Sequence, residues 1–143
     1  MSNLKKAHRK ITTDIDIRFR DIDAMGHVNN AVFFTYFEEG RKTFLKTLFN
    51  IVHPRDYNFI LAHIRCDFFK PITPDDAVSL QMWVDEIGNK RFDLIYCLIN
   101  PDDEAVVYAR GQSRQVCFDY AAQKTIEIPK YFLERISNYM APP

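Results

Sequence analysis

The chain has 143 residues, 47% of them apolar, and its 19 lysines and arginines are balanced by 19 aspartates and glutamates. This length and apolar fraction predict one domain over residues 1–143, and the charge balance argues against a nucleic-acid partner. Three cysteines without paired spacing indicate free thiols in a reducing compartment. We see no signal peptide and no apolar run of about 20 residues, so we expect a soluble, cytoplasmic protein with no membrane partner.

The first predicted strand covers residues 13–20, where Ile15, Ile17 and Phe19 alternate with polar residues and share one face. The residues before it, 1–11, are basic and are expected to form a flexible tail. A polar loop follows the strand and leads into the next element.

A long buried helix is predicted from about Asn30 to Phe49, because apolar residues recur there every three or four positions. Asn29 or Asn30 is a suitable N-cap, and Asn50 is a suitable end. Gly40 lies in the apolar stripe and leaves room for a close neighbour.

Four antiparallel strands are predicted after the helix, over residues 58–69, 77–87, 91–99 and 104–118. Gly88-Asn89 indicates a tight hairpin turn, and a short helix is expected after Pro129. The last strand has small residues on one face, including Gly111, which would let the helix approach near Gly40. The predicted fold is α+β, a curled antiparallel sheet of about five strands around one long central helix.

A single helix covers only one face of such a sheet, and the other face keeps large apolar side chains. These are Phe59, Leu61, Trp83, Ile95, Tyr108, Val116 and Phe118. Either a substrate groove or a partner subunit has to cover some of them, and a homodimer or homotetramer is the simpler explanation.

Two common kinds of catalytic centre are disfavoured. His63 and Cys66 lie three residues apart on a predicted strand and would face opposite sides, so no metal is expected, and no other cofactor. The nearest match to a serine elbow, Gly111 to Gln115, lacks the second glycine and the helix that should follow.

The loop from Asp21 to Asn30 is where we expect chemistry. It places two carboxylates, a histidine and two carboxamides ahead of a helix N-terminus, whose unpaired N–H groups favour negative charge. Those N–H groups could hold an oxyanion while a carboxylate attacks or activates water. On the residues alone, an equally good interpretation is that Asp21 and Asp23 only shape the loop.

The stretch DIDAMGHVNNAVFFTYFEEGR, from Asp21 to Arg41, resembles the signature of the 4-hydroxybenzoyl-CoA thioesterase-like branch of the hotdog superfamily. The shared features are D-x-D-x-x-G-H-V-N-N, an aromatic-rich helix start, and a Glu and an Arg near the helix middle. The order of elements agrees from about residue 12 to 120, and Phe68-Phe69-Lys70-Pro71 ends the second strand as in family members. The resemblance implies a hotdog-fold thioester hydrolase for an acyl-CoA or acyl-carrier-protein thioester, with CoA as part of the substrate.

By position, Asp23 matches the family's catalytic carboxylate, which would act as nucleophile or general base. The Asn30 N–H matches the donor that polarises the thioester carbonyl. A thiol with a pKa of about 8.5 leaves without much help from an acid, so these two groups could suffice.

The resemblance also implies substrate-binding positions. Gly26, His27 and Asn29 would order the loop or a water at the substrate, although a structural role for His27 and Asn29 is an equal alternative. Lys90 and Arg91 fall where some relatives hold the CoA phosphates, or they belong to a solvated hairpin. The first-described aryl-CoA members lack the His-Val-Asn-Asn run, which favours an acyl-CoA or acyl-carrier-protein substrate here.

Two other functions fit the same fold. A hotdog domain could bind an acyl thioester for regulation without turnover, although the presence of Asp23 beside the helix start argues against this. A dehydratase would need a histidine paired with an acid on the central helix, and Glu38 and Glu39 have no histidine beside them.

Overall fold

The computed structural model describes residues 9–140, which form six strands and two α-helices. The strands are β1 (Ile11–Ile15), β2 (Phe59–Phe68), β3 (Val78–Ile87), β4 (Arg91–Asn100), β5 (Asp103–Asp119) and β6 (Lys124–Thr125). The helices are α1 (Asn30–Phe49) and α2 (Lys130–Ile136). The order of elements is therefore the predicted one, with the two-residue β6 added.

The strands form one antiparallel sheet in the order β1-β3-β4-β5-β2, and β6 pairs with the end of β5. Helix α1 lies against the inner face of this sheet, where the side chains of both build the core. The predicted α+β architecture, a curled antiparallel sheet around one long helix, is confirmed. Strand β2 lies at an edge of the sheet, and most of its ten residues are exposed.

Helix α1 has the bounds that its apolar period predicts. The Asn29 side chain caps its start by accepting a hydrogen bond from Ala31 N, and Asn50 ends it in the left-handed region with φ 53°. Its buried side chains are Phe33, Tyr36, Phe37, Phe44, Leu45 and Leu48. A helix buried along so much of its surface is held mainly by packing rather than by helix propensity.

Gly40 and Gly111 were expected to lie close to each other, but each packs against a different part of the structure. A Cβ at Gly111 on β5 would lie 2.6 Å from Phe37 Cζ and 2.9 Å from the Arg65 carbonyl oxygen. A Cβ at Gly40 would press on Leu80 and Met82 of β3. The prediction of a close approach between α1 and the sheet holds, but the pairing of Gly40 with β5 is wrong because the helix crosses β3 at that point.

The first strand lies earlier than predicted. Strand β1 begins at Ile11, which is buried, so the predicted tail of residues 1–11 is wrong at its last residue. Residues 1–8 lie outside the described residues. Phe19 is 99% exposed in a short 3₁₀ turn, because the chain leaves the sheet after Ile15 and alternation no longer places side chains on one face.

A β-bulge at Ala62 changes which side chains of β2 face the helix. The register shifts between Leu61 and His63, so Phe59 and Leu61 before the bulge point to the same inner face as Ile64 after it. The prediction that placed Phe59 and Leu61 on the outer face is therefore wrong.

A second irregularity buries a side chain that strict alternation would place outside. Leu98 pairs with Ala109 and Ile99 pairs with Val107, so Tyr108 has no partner across the sheet. Tyr108 is fully buried, and its hydroxyl donates to the Ala77 carbonyl at 3.3 Å. The expected outward position of Tyr108 is also wrong.

The outer face of the sheet is partly covered by the chain itself. The ammonium of Lys10 and the guanidinium of Arg110 lie 5.4 and 5.9 Å from the ring centroid of Trp83. Asp93 is buried on the same face beneath Arg114, whose Nε and Nη2 donate to it at 2.9 and 3.1 Å. Less of this face requires a partner than the sequence pattern indicates.

Candidate active site

The loop before α1 is built around Asp23. The Asp23 N–H donates to the His27 carbonyl at 2.8 Å, and the Gly26 N–H donates to the Asp23 carbonyl at 3.1 Å. Gly26 has φ 79°, which other residues adopt only with strain, and this explains why a glycine stands in the turn. Gly26 shapes the loop and does not itself line the cavity beside it.

The Asp23 carboxylate has one oxygen engaged and one oxygen available. Oδ1 accepts from Met25 N at 2.8 Å and from His27 N at 3.3 Å, which fixes the side chain. Among residues 9–140, Oδ2 accepts no hydrogen bond. The loop therefore orients the carboxylate and leaves one oxygen for a ligand or a water.

The start of α1 supplies hydrogen-bond donors close to this carboxylate. The Asn29 side-chain oxygen accepts a hydrogen bond from Ala31 N at 2.9 Å, and the Asn29 carbonyl accepts one from Val32 N at 2.9 Å. The Asn30 N–H has no hydrogen-bond acceptor among the described residues, as expected for the first turn of a helix. Asn29 is thus a cap, and Asn30 is the residue of the two that lines the cavity.

Asp23 and Asn30 share a cavity of about 330 Å³ between the loop and the end of β2. Its other lining side chains are mostly apolar: Met25, Val28, Phe33, Phe68, Phe69 and Pro71. His27 and Lys70 complete the wall. The rings of Phe33 and Phe68 meet edge to face at 4.9 Å, and Phe69 is 62% exposed at the rim. A cavity of this size and composition suits a small, mostly apolar ligand.

Asp21 differs from Asp23 because it is buried and its carboxylate is bonded to neighbouring elements of the fold. Its Oδ2 accepts from Arg18 N and from the Tyr36 hydroxyl, both at 2.9 Å. Burial, together with this hydrogen bond to the Asp21 carboxylate, raises the pKa of Tyr36 above its ordinary value. Asp21 ties the loop to α1 and does not reach the cavity.

Lys90 and Arg91 do not belong to this cavity within one chain. The Lys90 carbonyl accepts from Cys117 N at 2.7 Å, and Cys117 pairs with Phe59 at the start of β2. The cavity lies at the other end of β2, ten residues or roughly 30 Å away. The Arg91 guanidinium is also engaged, by Glu86 at 2.9 Å and Asp93 at 3.5 Å.

Seven residues of the cavity wall were not predicted as site residues from the sequence: Met25, Val28, Phe33, Phe68, Phe69, Lys70 and Pro71. Phe33 looked like a core residue of the helix stripe, and nothing in its spacing separated a core position from a cavity wall. The Phe69 and Lys70 N–H groups both donate to the Tyr108 carbonyl, at 2.9 and 3.0 Å, which folds the end of β2 towards the loop. The Phe-Phe-Lys-Pro run was the available signal.

Two negative findings apply to the described part of the chain. No group of three or more His, Cys, Asp and Glu side chains there could hold a metal ion. No helix within residues 9–140 is both long and apolar enough to span a membrane.

A family model described as the thioesterase-like superfamily matches residues 17–136. The long-chain acyl-CoA thioesterase FadM of Escherichia coli (strain K12) is 23% identical over 128 residues, which cover 88% of this chain and 96% of that protein.

Solved structures show the same fold. A predicted thioesterase from Bacillus stearothermophilus has a TM-score of 0.86 at 21% identity, over 94% of this chain and 99% of that chain. A thioesterase from Thermus thermophilus, crystallised with coenzyme A and Zn, has a TM-score of 0.77 at 25% identity, over 90% of this chain and 92% of that chain. The hotdog fold expected from the sequence is confirmed.

Proposed function

The chain belongs to the thioesterase-like superfamily, and from this premise we propose that it hydrolyses an acyl-CoA thioester to a free acid and a thiol. The predicted family, and the thioester hydrolase as its class of enzyme, are confirmed. One observation supports the specific proposal most: Asp23 and Asn30 line one cavity, and among the described residues Asp23 Oδ2 and the Asn30 N–H have no hydrogen-bond partner. An acyl-carrier-protein thioester carries the same reacting group and is the alternative carrier.

In the proposed reaction the thioester carbonyl oxygen accepts a hydrogen bond from the Asn30 N–H at the positive end of α1. Asp23 acts through Oδ2, either by taking a proton from water as the water oxygen bonds to the carbonyl carbon, or by attacking that carbon itself. The carbonyl oxygen then carries the negative charge, the C–S bond breaks, and the thiolate leaves. In the second route, water hydrolyses the resulting anhydride.

In our proposal His27 supports this arrangement through its backbone N–H, and Asn29 supports it through its side chain. The His27 N–H holds Asp23 Oδ1, and Asn29 caps the helix that presents the Asn30 N–H. The His27 side chain lines the cavity and can contact the substrate.

We further infer that two copies of the chain are needed for a complete site. Strand β2 is an exposed edge, and one side of its backbone pairs with no strand in the described part of the chain, which favours pairing with another strand. Antiparallel pairing of two β2 strands about a two-fold axis places the Phe68 end of one opposite the Phe59 end of the other. Lys90 of the second copy would then lie near the first copy's cavity, where it could contact CoA phosphates.

A hydrolysis panel tests the proposed activity. Purified protein is incubated with short-chain, long-chain and aryl acyl-CoAs, and with an acyl-carrier-protein thioester, and free thiol is measured. We expect thiol release from at least one acyl-CoA. Binding of acyl-CoA by calorimetry without release of thiol from any substrate would instead support a regulatory binding domain.

A further inference from the structure

A second and larger cavity, of about 590 Å³, lies between the middle of α1 and the first half of β2. Its apolar wall comes from the segment after α1 and from β2, and consists of Val52, Pro54, Tyr57, Phe59, Ile60 and Leu61. Its other wall is the polar side of α1, which carries Arg41. Neither the proposed chemistry at Asp23 nor the core explains an arginine at this place.

The guanidinium of Arg41 is hydrogen-bonded to the first of three polar side chains that are buried beneath α1. Arg41 Nη1 donates to the Tyr96 hydroxyl at 3.1 Å, and that hydroxyl lies 2.5 Å from Ser113 Oγ. Gln115 Nε2 donates to the same Ser113 oxygen. Tyr96, Ser113 and Gln115 are all fully buried. The Tyr96 oxygen accepts from Arg41 and also shares a hydrogen bond with the Ser113 hydroxyl, so a buried chain of polar groups holds Nη1 of the guanidinium.

The remaining donors of Arg41 have no acceptor within residues 9–140. A guanidinium has five N–H donors and no acceptor, and among the described residues Arg41 makes one hydrogen bond and no ion pair. Two acids share the cavity wall, but Glu39 is paired with Lys42 at 3.9 Å and Glu38 is exposed. A half-buried cation beside apolar side chains is stabilised by an oxygen acceptor from a ligand.

The antiparallel pairing of β2 brings this cavity to the catalytic one. Phe68 lines the cavity of Asp23, whereas Phe59, Ile60 and Leu61 line the cavity of Arg41. In one chain these two ends are far apart, but in a two-fold pair each Asp23 cavity faces the Arg41 cavity of the other copy.

We propose that the acyl group of a thioester bound at Asp23 of one copy extends into the Arg41 cavity of the second copy. There Arg41 bonds an oxygen that the acyl group carries beyond its thioester. The preferred substrates are therefore acyl groups with a hydroxyl or carboxylate at a distance from the reacting carbon, with their carbon chain against Ile60 and Leu61. This inference rests on the proposed thioesterase function.

The test uses matched sets of plain, ω-hydroxy and ω-carboxy acyl-CoAs on hexanoyl, octanoyl and decanoyl skeletons. For the unaltered protein we expect kcat/KM to be at least about tenfold higher for an oxygenated member than for its plain counterpart at one chain length or more. The Arg41→Met variant should bring this ratio close to one, because the oxygenated substrates lose their advantage over the plain ones. The hydroxy and carboxy arms decide which oxygen Arg41 prefers.

The matched control is Arg110→Met, which removes an exposed arginine on the outer face of the sheet and should leave the ratio unchanged. Equal kcat/KM for plain and oxygenated substrates in the unaltered protein would overturn the inference, even if Arg41→Met did not fold. An equal loss on both kinds of substrate in Arg41→Met would assign Arg41 to structure. Hydrolysis of no substrate at all would remove the proposed function itself.

Discussion

Asp21 and Asp23 stand two residues apart and have opposite surroundings. Asp21 is buried and accepts hydrogen bonds from Arg18 N and the Tyr36 hydroxyl. Asp23 faces a cavity, and only its Oδ1 is engaged by the loop. In both residues a single oxygen accepts both hydrogen bonds, so an asparagine could keep them with its amide oxygen.

This difference makes Asp23→Asn the decisive substitution at the residue scale. The amide can preserve the turn through Met25 N and His27 N, but its NH₂ group can neither attack a thioester nor accept a proton from water. We expect kcat to fall by ~10²–10⁴-fold, the loss typical of a positioned base, with the melting temperature nearly unchanged. Steady-state kinetics and thermal unfolding measure both quantities.

Asp21→Asn is the control for that experiment, because it alters charge in the same loop without touching the cavity. We expect kcat to stay within about tenfold of the unaltered value and any effect to appear in the melting temperature, since Asp21 joins the loop to Tyr36. If Asp21→Asn reduced kcat more than Asp23→Asn did, the assignment of Asp23 as the reacting carboxylate would be wrong.

The positions of single residues were predictable where they depend on sequence neighbours. Asp23 lies in the loop and Asn30 begins the helix that directly follows it, so a motif was enough to bring the two together. Lys90 and Arg91 depend on where a distant hairpin falls, and the structure places that hairpin at the other end of β2. The sequence of one chain does not show which residues of a second copy would lie near the cavity.

At the scale of the elements, the contact between α1 and the sheet depends on Gly111. Phe37 lies over this glycine, and the Arg65 carbonyl borders it on the other side. Gly111→Ala should destabilise the protein by roughly 1–3 kcal/mol, because neither the ring nor the backbone can move freely. Urea unfolding monitored by circular dichroism measures the loss.

Gly40→Ala is the matched comparison on the helix side. Its Cβ would meet the ends of the Leu80 and Met82 side chains, which are more adaptable than a ring or a backbone carbonyl. Alanine also gains about 1 kcal/mol of helix propensity over glycine. We therefore expect a smaller loss than at Gly111, and a larger one would contradict this account of the packing.

Helices and strands were predicted correctly where the periodic spacing of apolar residues continued without interruption. The apolar stripe of α1 runs unbroken from Asn30 to Phe49, and both bounds were predicted correctly. Alternation failed in β2 and β5, because a bulge inserts one residue and reverses the faces beyond it. The sequence around Ala62 contains neither glycine nor proline to mark the bulge.

At the scale of the whole molecule, the exposed β2 edge and the separation of the two cavities lead to a prediction about assembly. Multi-angle light scattering at micromolar concentration should give at least twice the 16.9 kDa of one chain. The mass of a single chain under those conditions would contradict the dimer and the site between subunits. A tetramer would retain both, since it can contain the same pair.

The fold as a whole followed from the order of strand and helix patterns, because one helix placed before four strands leaves few arrangements with a single core. The outer face of the sheet was less predictable. The side chains of Lys10 and Arg110 cover Trp83. From the sequence, such residues are recognised as charged, but the apolar surface that their long side chains can cover is not evident.

The extra residue in β2 has a consequence for how this sequence can change over evolutionary time. Phe59 on one side of the bulge, and Ile64, Cys66 and Phe68 on the other, all face α1 because one residue between them is out of step. Deleting Ala62 would restore a regular strand and leave these side chains on the same face. Deleting Arg65 while the bulge is kept would instead turn the end of the strand over, taking Phe68 away from Phe33 and from the catalytic cavity. Substitutions along this strand can accumulate one at a time, whereas a change in its length beyond the bulge would have to be matched by a second one before the cavity could form again.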